Sequence, residues 1–434
     1  MVRSSFFSFV QGGFATDCHI KCCPFLGHPS SHSSLRFAPW ISTDNMVNPQ
    51  PSTFQVSNGS LSYWPYSTLS TNYGLPYTCH DLYTRLLDVR SSADIFTPEF
   101  ISISIERLGP PNGPSDPALP ALLTALSEHE DLSSLFLHNV NWAHFASRHL
   151  WHSSIIAFSN ITYLTMTETS LQVNEFCSLI RSFPLHGLEV HSCLTTGDFQ
   201  AHPLSMDAHT IILNQQGPEI QYLDITVCEG SNILDIFTQL WSPVSFSKLE
   251  KLSISGRGGG NVGQQIVRLI EISIPLDLNI NCEGFDLAPA PPISNLCEVT
   301  ILVITIPLDG ANDVRRTNDC LRWWTSSLKR IPRQNNIAYI HIDVIVDQPS
   351  IAYLPLPKLK RHSSGGMATA WIYFDEALSD NDKFRLNRRF GVTVLRKQNT
   401  ARPFNTQGYY AWIRSDALAE CFEHHLGISL RRHA

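Results

Sequence analysis

The sequence predicts an α/β fold in which short parallel strands alternate with helices and stack into a solenoid. Three observations carry this. Units of the form apolar-x-x-apolar-x-apolar recur along most of the chain. The segments between them space apolar residues like helix faces and often end at a proline. Finally, 43% of the 434 residues are hydrophobic and 16% charged, enough apolar side chain for an extended core and too much for global disorder.

Residues 1–80 stand apart. Their only charged residues are Arg3, Asp17, Lys21, Arg36 and Asp44, and Ser, Pro, Gly and aromatic residues fill the segment without periodicity. An irregular or weakly ordered segment is expected there. From about residue 81 the repeats begin. Phe100-x-x-Ile103-x-Ile105, Leu132-x-x-Leu135-x-Leu137, Ile161-x-x-Leu164-x-Met166 and Leu185-x-x-Leu188-x-Val190 are followed by Ile220-x-x-Leu223-x-Ile225 and Leu249-x-x-Leu252-x-Ile254. Leu278-x-Ile280, Leu296-x-x-Val299-x-Ile301 and Ile337-x-x-Ile340-x-Ile342 complete the series, at steps of 21 to 41 residues. This is the leucine-rich-repeat template: one short strand per unit, a return crossing, and an Asn or Cys after the strand that bonds backbone inside the turn. Cys193 and Cys228 stand at that position. One unit cannot bury its apolar face, so neighbours must stack.

Between the strands, Phe176, Leu179, Ile180 and Phe183 precede Pro184, and Ile233, Ile236, Phe237, Leu240 and Trp241 precede Pro243. Leu321, Trp324, Leu328 and Ile331 precede Pro332, and of the neighbours Trp323 and Trp324 one ring is expected in the core and the other at the surface. The same rhythm also suits a doubly wound sheet, with helices on both faces. Beyond Val346 the pattern blurs. Trp371-Ile-Tyr-Phe and Val392-Thr-Val-Leu read as strands, Phe384, Leu386 and Phe390 as a short helix. The domain reading is an irregular segment 1–80, a solenoid 81–400 and a capping segment 401–434, whose helix Ser415 to Leu426 turns Leu418, Phe422 and Leu426 inward.

Alternation along each strand sends the leucines inward and their neighbours outward. The outward row reads Phe136, His138, Thr165, Thr167, Glu189, His191, Asp224, Thr226, Ser253, Ser255, Asn279 and Asn281. It mixes an aromatic ring, histidines, acids and hydroxyls without a lysine or arginine, which suits a protein partner better than a nucleic-acid backbone. The net charge of −7 points the same way.

The sharpest enzymatic signal is Gly258-Gly-Gly260-Asn-Val-Gly263, which follows a strand, precedes the helix-like run Ile266 to Ile270, and has Glu283 beyond it. Such a turn can cradle a dinucleotide pyrophosphate, with the acid on a ribose; it can equally be a glycine-rich turn between two repeats. No nucleophile elbow, zincin helix or phosphate loop is present, so no catalytic residue, cofactor or metal ligand is assigned. The 11 cysteines are odd in number and scattered, which predicts buried free thiols; Cys18, Cys22 and Cys23 lack the second ligand pair of a zinc site. Residues 381–434 carry ten basic and four acidic residues, with Arg385, Arg388 and Arg389 clustered, and read as a solvated terminal face. No apolar run of about 18 residues predicts a membrane span. Gln11, Gly12 and Gly13 interrupt the first apolar stretch before a signal-peptide core forms, so a cytoplasmic or nuclear location is expected.

Residues 81–430, through Leu132-Ser-Ser-Leu-Phe-Leu-His-Asn, Leu185-His-Gly-Leu-Glu-Val-His-Ser-Cys, Ile220-Gln-Tyr-Leu-Asp-Ile-Thr-Val-Cys and helix ends such as Arg181-Ser-Phe-Pro184, resemble the leucine-rich-repeat region of the F-box-type proteins of mushroom-forming fungi. The resemblance implies a substrate-recognition adaptor of a ubiquitin ligase, bound through its F-box to the ligase's linker subunit. No segment of residues 1–80 reads as that F-box: Leu75-Pro76 lacks the acid and the following helix. The function expected is therefore a non-catalytic protein-binding scaffold, with a nucleotide-binding α/β enzyme built on 258–263 as the alternative.

Overall fold

The computed structural model describes residues 53–57, 60–64, 76–88, 102–106, 118–141, 148–196, 217–239, 242–287, 290–308, 314–346, 367–380, 383–384, 389–396, 406–424 and 429–431. All lie in one compact unit, Pro49–Ala434.

The chain is α/β. Strands β1 (Thr53–Ser57), β2 (Ser60–Trp64) and β3 (Pro76–Thr78) lie inside the stretch read as irregular, and β1 pairs antiparallel with the other two. β1 and β2 alternate over five residues each, Phe54 with Val56 and Leu61 with Tyr63, but lack the leucine template of the later units, and β3 has three residues only. From β2 onward every pairing in the main sheet is parallel. The strands are β4 (Ser102–Glu106), β5 (Ser134–His138), β6 (Tyr163–Thr167), β8 (Gly187–His191), β10 (Tyr222–Val227), β11 (Lys251–Gly258), β12 (Asp277–Asn281), β14 (Ile301–Leu308), β15 (Tyr339–Val346), β16 (Arg389–Arg396) and β17 (Ser429–Arg431). Two short strands, β7 (Ser170–Gln172) and β9 (Leu194–Thr196), form a separate parallel pair, and β13 (Gly284–Phe285) pairs with the end of β11.

From β4 to β17 the strands lie side by side in chain order. That order has no reversal point, and right-handed crossovers taken always in one direction return on one face. Consecutive helices accordingly touch one another: α1 (Cys79–Leu87) meets α2 (Leu119–Leu126), α2 meets α3 (Arg148–Ile156), and α3 meets α4 (Val173–Arg181). Further on, α5 (Ile233–Thr238) meets α6 (Val262–Ser273), and α7 (Val314–Arg330) meets α8 (Met367–Leu378). The sheet is open, and its other face stays half-wet from β5 to β12, whereas in β14 and β16 Thr305 and Thr393 on that face are buried. In β5, β6, β10 and β12 every second side chain is buried and those between are only partly so.

The buried positions are the template leucines. Leu132, Leu135 and Leu137 are at most 1% exposed, as are Ile220, Leu223 and Ile225, and Ile103, Leu164, Leu188, Leu252, Leu278 and Ile340 continue the line. One unit is shifted. Leu278 pairs with Leu302, so the repeat reads Val299-x-x-Leu302-x-Ile304, one step of three later than the motif suggests. Leu296, Val299 and Leu302 are equally spaced, so the template fits two slots and pairing with β12 selects the later one.

The turns after the strands form a ladder. Asn139, Glu168 and Ser192 have φ of 52°, 51° and 53°. Their amides donate to Thr167 O, His191 O and Thr226 O of the next strand at 2.7–2.8 Å. The residue after each is buried and, in two of the three turns, bonds back one unit: Thr169 Oγ1 donates to Leu137 O (3.2 Å) and Cys193 Sγ to Met166 O (3.4 Å). Burial pushes the Cys193 and Cys177 thiols up to about 12, so they are structural rather than nucleophilic. The eight described cysteines are all free thiols.

Other local readings are corrected. Trp371-Ile-Tyr-Phe lies in helix α8, not a strand: Trp371, Phe374 and Leu378 are fully buried at steps of three and four while Tyr373 is 50% exposed. The β-prone run is overridden by the helical spacing of its core contacts. Phe390 lies in strand β16 rather than a helix, and so does Arg389; Arg385 and Arg388 lie outside the described residues. Trp323 and Trp324 are both buried, edge to face at 4.9 Å, because the Trp323 indole N–H finds Pro291 O at 2.8 Å. The terminal segment is helix α9 (Thr406–Trp412), a π-helical stretch Ile413–Ala417, helix α10 (Ala419–His424) and strand β17, so it extends the sheet as well as covering it. Asp375 of α8 caps α10, accepting from the amides of Glu420 (2.8 Å) and Cys421 (2.9 Å).

Candidate functional site

The parallel register turns the outward side chains into two straight rows. One runs Phe136–Thr165–Glu189–Asp224–Ser253–Asn279, the other His138–Thr167–His191–Thr226–Ser255, with Asn281 at the same level on β12. All twelve residues of the sequence-derived row thus share one face. Phe136 is 40% exposed, Ser253 is nearly buried at 9%, and the rest are partly exposed.

The densest part of this face centres on β8 and β10. Glu189 and Asp224 are register partners on neighbouring strands. Two carboxylates so placed repel unless something relieves them. Thr165 Oγ1 donates to Glu189 Oε2 (3.1 Å), the Tyr222 hydroxyl donates to Asp224 Oδ2 (3.1 Å), and His191 Nε2 stands 3.5 Å from Glu189 Oε2. His191 Nδ1 lies 2.9 Å from Thr226 Oγ1, which lies 2.9 Å from Ser255 Oγ. A protonated imidazole fits this chain, donating from both nitrogens. Its bond to Glu189 raises the His191 pKa despite burial, and the same bond lowers that of Glu189. Burial pushes the Asp224 carboxyl up, and burial together with the neighbouring carboxylates pushes the Tyr222 phenol up.

A second cluster lies further along. The rows continue through Val303 to His341, and through Thr305 to Asp343 and Thr393. His341 Nε2 is 3.0 Å from Asp343 Oδ1 and 2.8 Å from Thr393 Oγ1, while Nδ1 is 2.8 Å from the Tyr339 hydroxyl. With Nε2–H facing the carboxylate, Nδ1 accepts from Tyr339. Five strand steps, about 24 Å, separate the two histidines. Both clusters use the same device. A side chain at Gly187 would meet the Tyr163 ring at 2.5 Å, and one at Gly391 would run into Tyr339 and His341, so each glycine lets a ring lie across the sheet.

The sequence row missed Tyr163, Tyr222 and Lys251, one step nearer the strand starts, and the His341 cluster. The signal for the latter was present: Ile340-x-Ile342 read by the same alternation names His341 and Asp343. Tyr163 and Tyr222 precede the first central leucine, a position that alternation assigns outward only once the strand start is known.

The glycine-rich turn does join strand β11 to helix α6. Gly258 and Gly263 are packed closely, whereas Gly259 and Gly260 face open space. Gly260 has φ of 66°, a side chain on Gly263 would meet Ala290 Cβ at 2.7 Å, and Gly258 O accepts the Asp286 amide at 3.3 Å as β13 closes over the strand end. Among the described residues no group of His, Cys, Asp or Glu side chains is arranged to hold a metal ion, and no helix is long and apolar enough to cross a membrane. No family model matches the chain, and no curated protein matches it.

Proposed function

We propose that the protein is a non-catalytic scaffold that binds another protein on the half-wet face of its parallel sheet. One observation carries the reading: outward side chains from β5 to β12 stand in register and, Ser253 apart, are at least partly exposed among the described residues. Such an array offers aromatic area, donors and acceptors on a rigid frame, which is what protein recognition needs. The unreversed strand order and the turn ladder support the finer fold reading, a leucine-rich-repeat solenoid with this face concave. On that reading the chain resembles the substrate-binding half of an F-box-like ubiquitin-ligase adaptor working in the cytoplasm or nucleus. The test is a quantitative pull-down with mass spectrometry from the native cell, comparing wild type with Phe136→Ala/His191→Ala. The double variant should lose the captured partner while keeping its melting temperature. Recovery of the ligase linker subunit would add the adaptor role; its absence limits the reading to binding.

The alternative, a nucleotide site at Gly258–Gly263, draws on the strand–turn–helix setting of the motif. The packing of Gly258 against Val262 and of Gly263 against Ala290 accounts for two of its glycines without a ligand. Calorimetry with NAD, NADP and FAD decides: micromolar binding abolished by Gly260→Val would replace the scaffold reading.

A further inference from the structure

The wet face is chemically uneven, and its richest part describes a partner. This inference rests on the scaffold reading above and names the chemistry that the scaffold would take. Phe136 and Tyr163, on adjacent strands, are 40% and 52% exposed, the two large apolar side chains most open to solvent on this face among the described residues. Tyr163 leans over Gly187, and on the far side of that glycine stands Tyr222. Two residues further along the same strands lie Glu189 and Asp224. The patch is thus a floor of rings bordered by a carboxylate pair. Rings present negative π-faces and carboxylates negative oxygens, so both favour the same occupant, a cation with an apolar stem.

The chain itself shows that this chemistry works here. Lys251, on the next strand, sets its ammonium 5.2 Å from the centre of the Tyr222 ring. It stands at the border and has a second neighbour of opposite charge in Asp277, its register partner on β12. The ring and acid surface on the other side, from Phe136 to Asp224, carries no lysine or arginine in either row of the face. Among the described residues the two rows hold His138 and His191 there, and His191 bonds along the face to Glu189 and Thr226.

We infer that the face between Phe136 and Asp224 docks an extended protein segment that carries an arginine or lysine, with its charged head on Glu189 and Asp224 and its stem and an adjacent apolar side chain on Tyr163 and Phe136. Charge complementarity sets the occupant: an acidic segment would bring like charge to the carboxylate pair, and a nucleic acid would bring phosphate.

The test is selection of a random-sequence linear peptide library against the immobilised full-length chain, followed by affinity measurement of the selected peptides by fluorescence anisotropy. The expected peptides share one Arg or Lys beside an apolar residue. Replacing that residue with citrulline or norleucine should weaken binding about tenfold, and so should Glu189→Gln with Asp224→Asn in the protein. The peptide replacement uses wild-type protein and holds even if the double variant folds poorly. Selected peptides without a basic residue whose binding falls with Phe136→Ala would overturn the cationic partner and leave the scaffold reading standing. Peptides indifferent to every substitution on this face, or no selected peptide, would overturn both.

Discussion

His191 is the residue whose chemistry depends most on its neighbours. Its bond to Glu189 raises its pKa from the ordinary 6.5, and the carboxylate drops from the ordinary 4.5 in return. The signs fix a window. The histidine's contribution to stability is complete below pH 6.5 and fades as pH rises through its raised folded value; the glutamate's is complete above pH 4.5 and fades as pH falls through its lowered one. The pair therefore contributes most between these limits. Glu189→Gln should bring the His191 titration, followed by NMR, down toward or below 6.5, and its stability cost should be largest near pH 5.5 and under about 1 kcal/mol, since both side chains are partly exposed. A titration that does not move would remove the bond from the account. Elsewhere one residue is strained. Ile274 caps helix α6 with φ of 44° and ψ of 59°, a left-handed conformation that β-branched side chains resist, and it is 43% exposed. Ile274→Gly should raise stability by about 0.5–1 kcal/mol in denaturant unfolding. At this scale the sequence was partly legible. The structural position of Cys193 followed from the template, whereas the burial of Trp323 depended on a carbonyl, Pro291 O, 32 residues away.

At the scale of the element, alternation decides what each side chain does. In β10, Leu223 is fully buried and Asp224 partly exposed beside it. Leu223→Ala should cost about 3 kcal/mol. Asp224→Asn should leave stability within about 1 kcal/mol at neutral pH, or raise it slightly, because burial already disfavours the charged carboxylate and Glu189 stands opposite. Equal costs for both would mean that the strand register is off by one. The cap of helix α10 is a second element-level test. Asp375 is 4% exposed and satisfies two amides of that helix. Asp375→Ala should destabilise by about 2 kcal/mol, measured by thermal or denaturant unfolding. Strands with a leucine every second residue were readable without coordinates, as were helices whose apolar spacing ends at proline. Three stretches were not. The run at Leu296, Val299 and Leu302 fits the template twice, Trp371 to Phe374 carries strand propensity on a helix, and β1 and β2 alternate (Phe54 with Val56, Leu61 with Tyr63) but lack the leucine template of the later units. In the first two cases the deciding information is a contact with a distant element; β1 and β2 form a local hairpin in which Ser57 faces Ser60.

Across the whole molecule, the repeated units predicted a parallel sheet in chain order, and the open sheet from β4 to β17 has that order. What periodicity could not supply was the side-by-side arrangement of outward residues. Glu189 and Asp224 are 35 residues apart in sequence, and only register makes them neighbours. The same register gathers Tyr339, His341, Asp343 and Thr393 into a second polar cluster on the same face. The central claim is that this face is open in the free protein and covered by a protein partner. Hydroxyl-radical footprinting of the chain alone and with its captured partner measures both halves at once. The account predicts that Phe136 and Tyr163 are oxidised in the free protein while Leu135 and Leu164 are not, and that the partner protects the two rings. Rings already protected in the free chain, or equally oxidised in the complex, would contradict it.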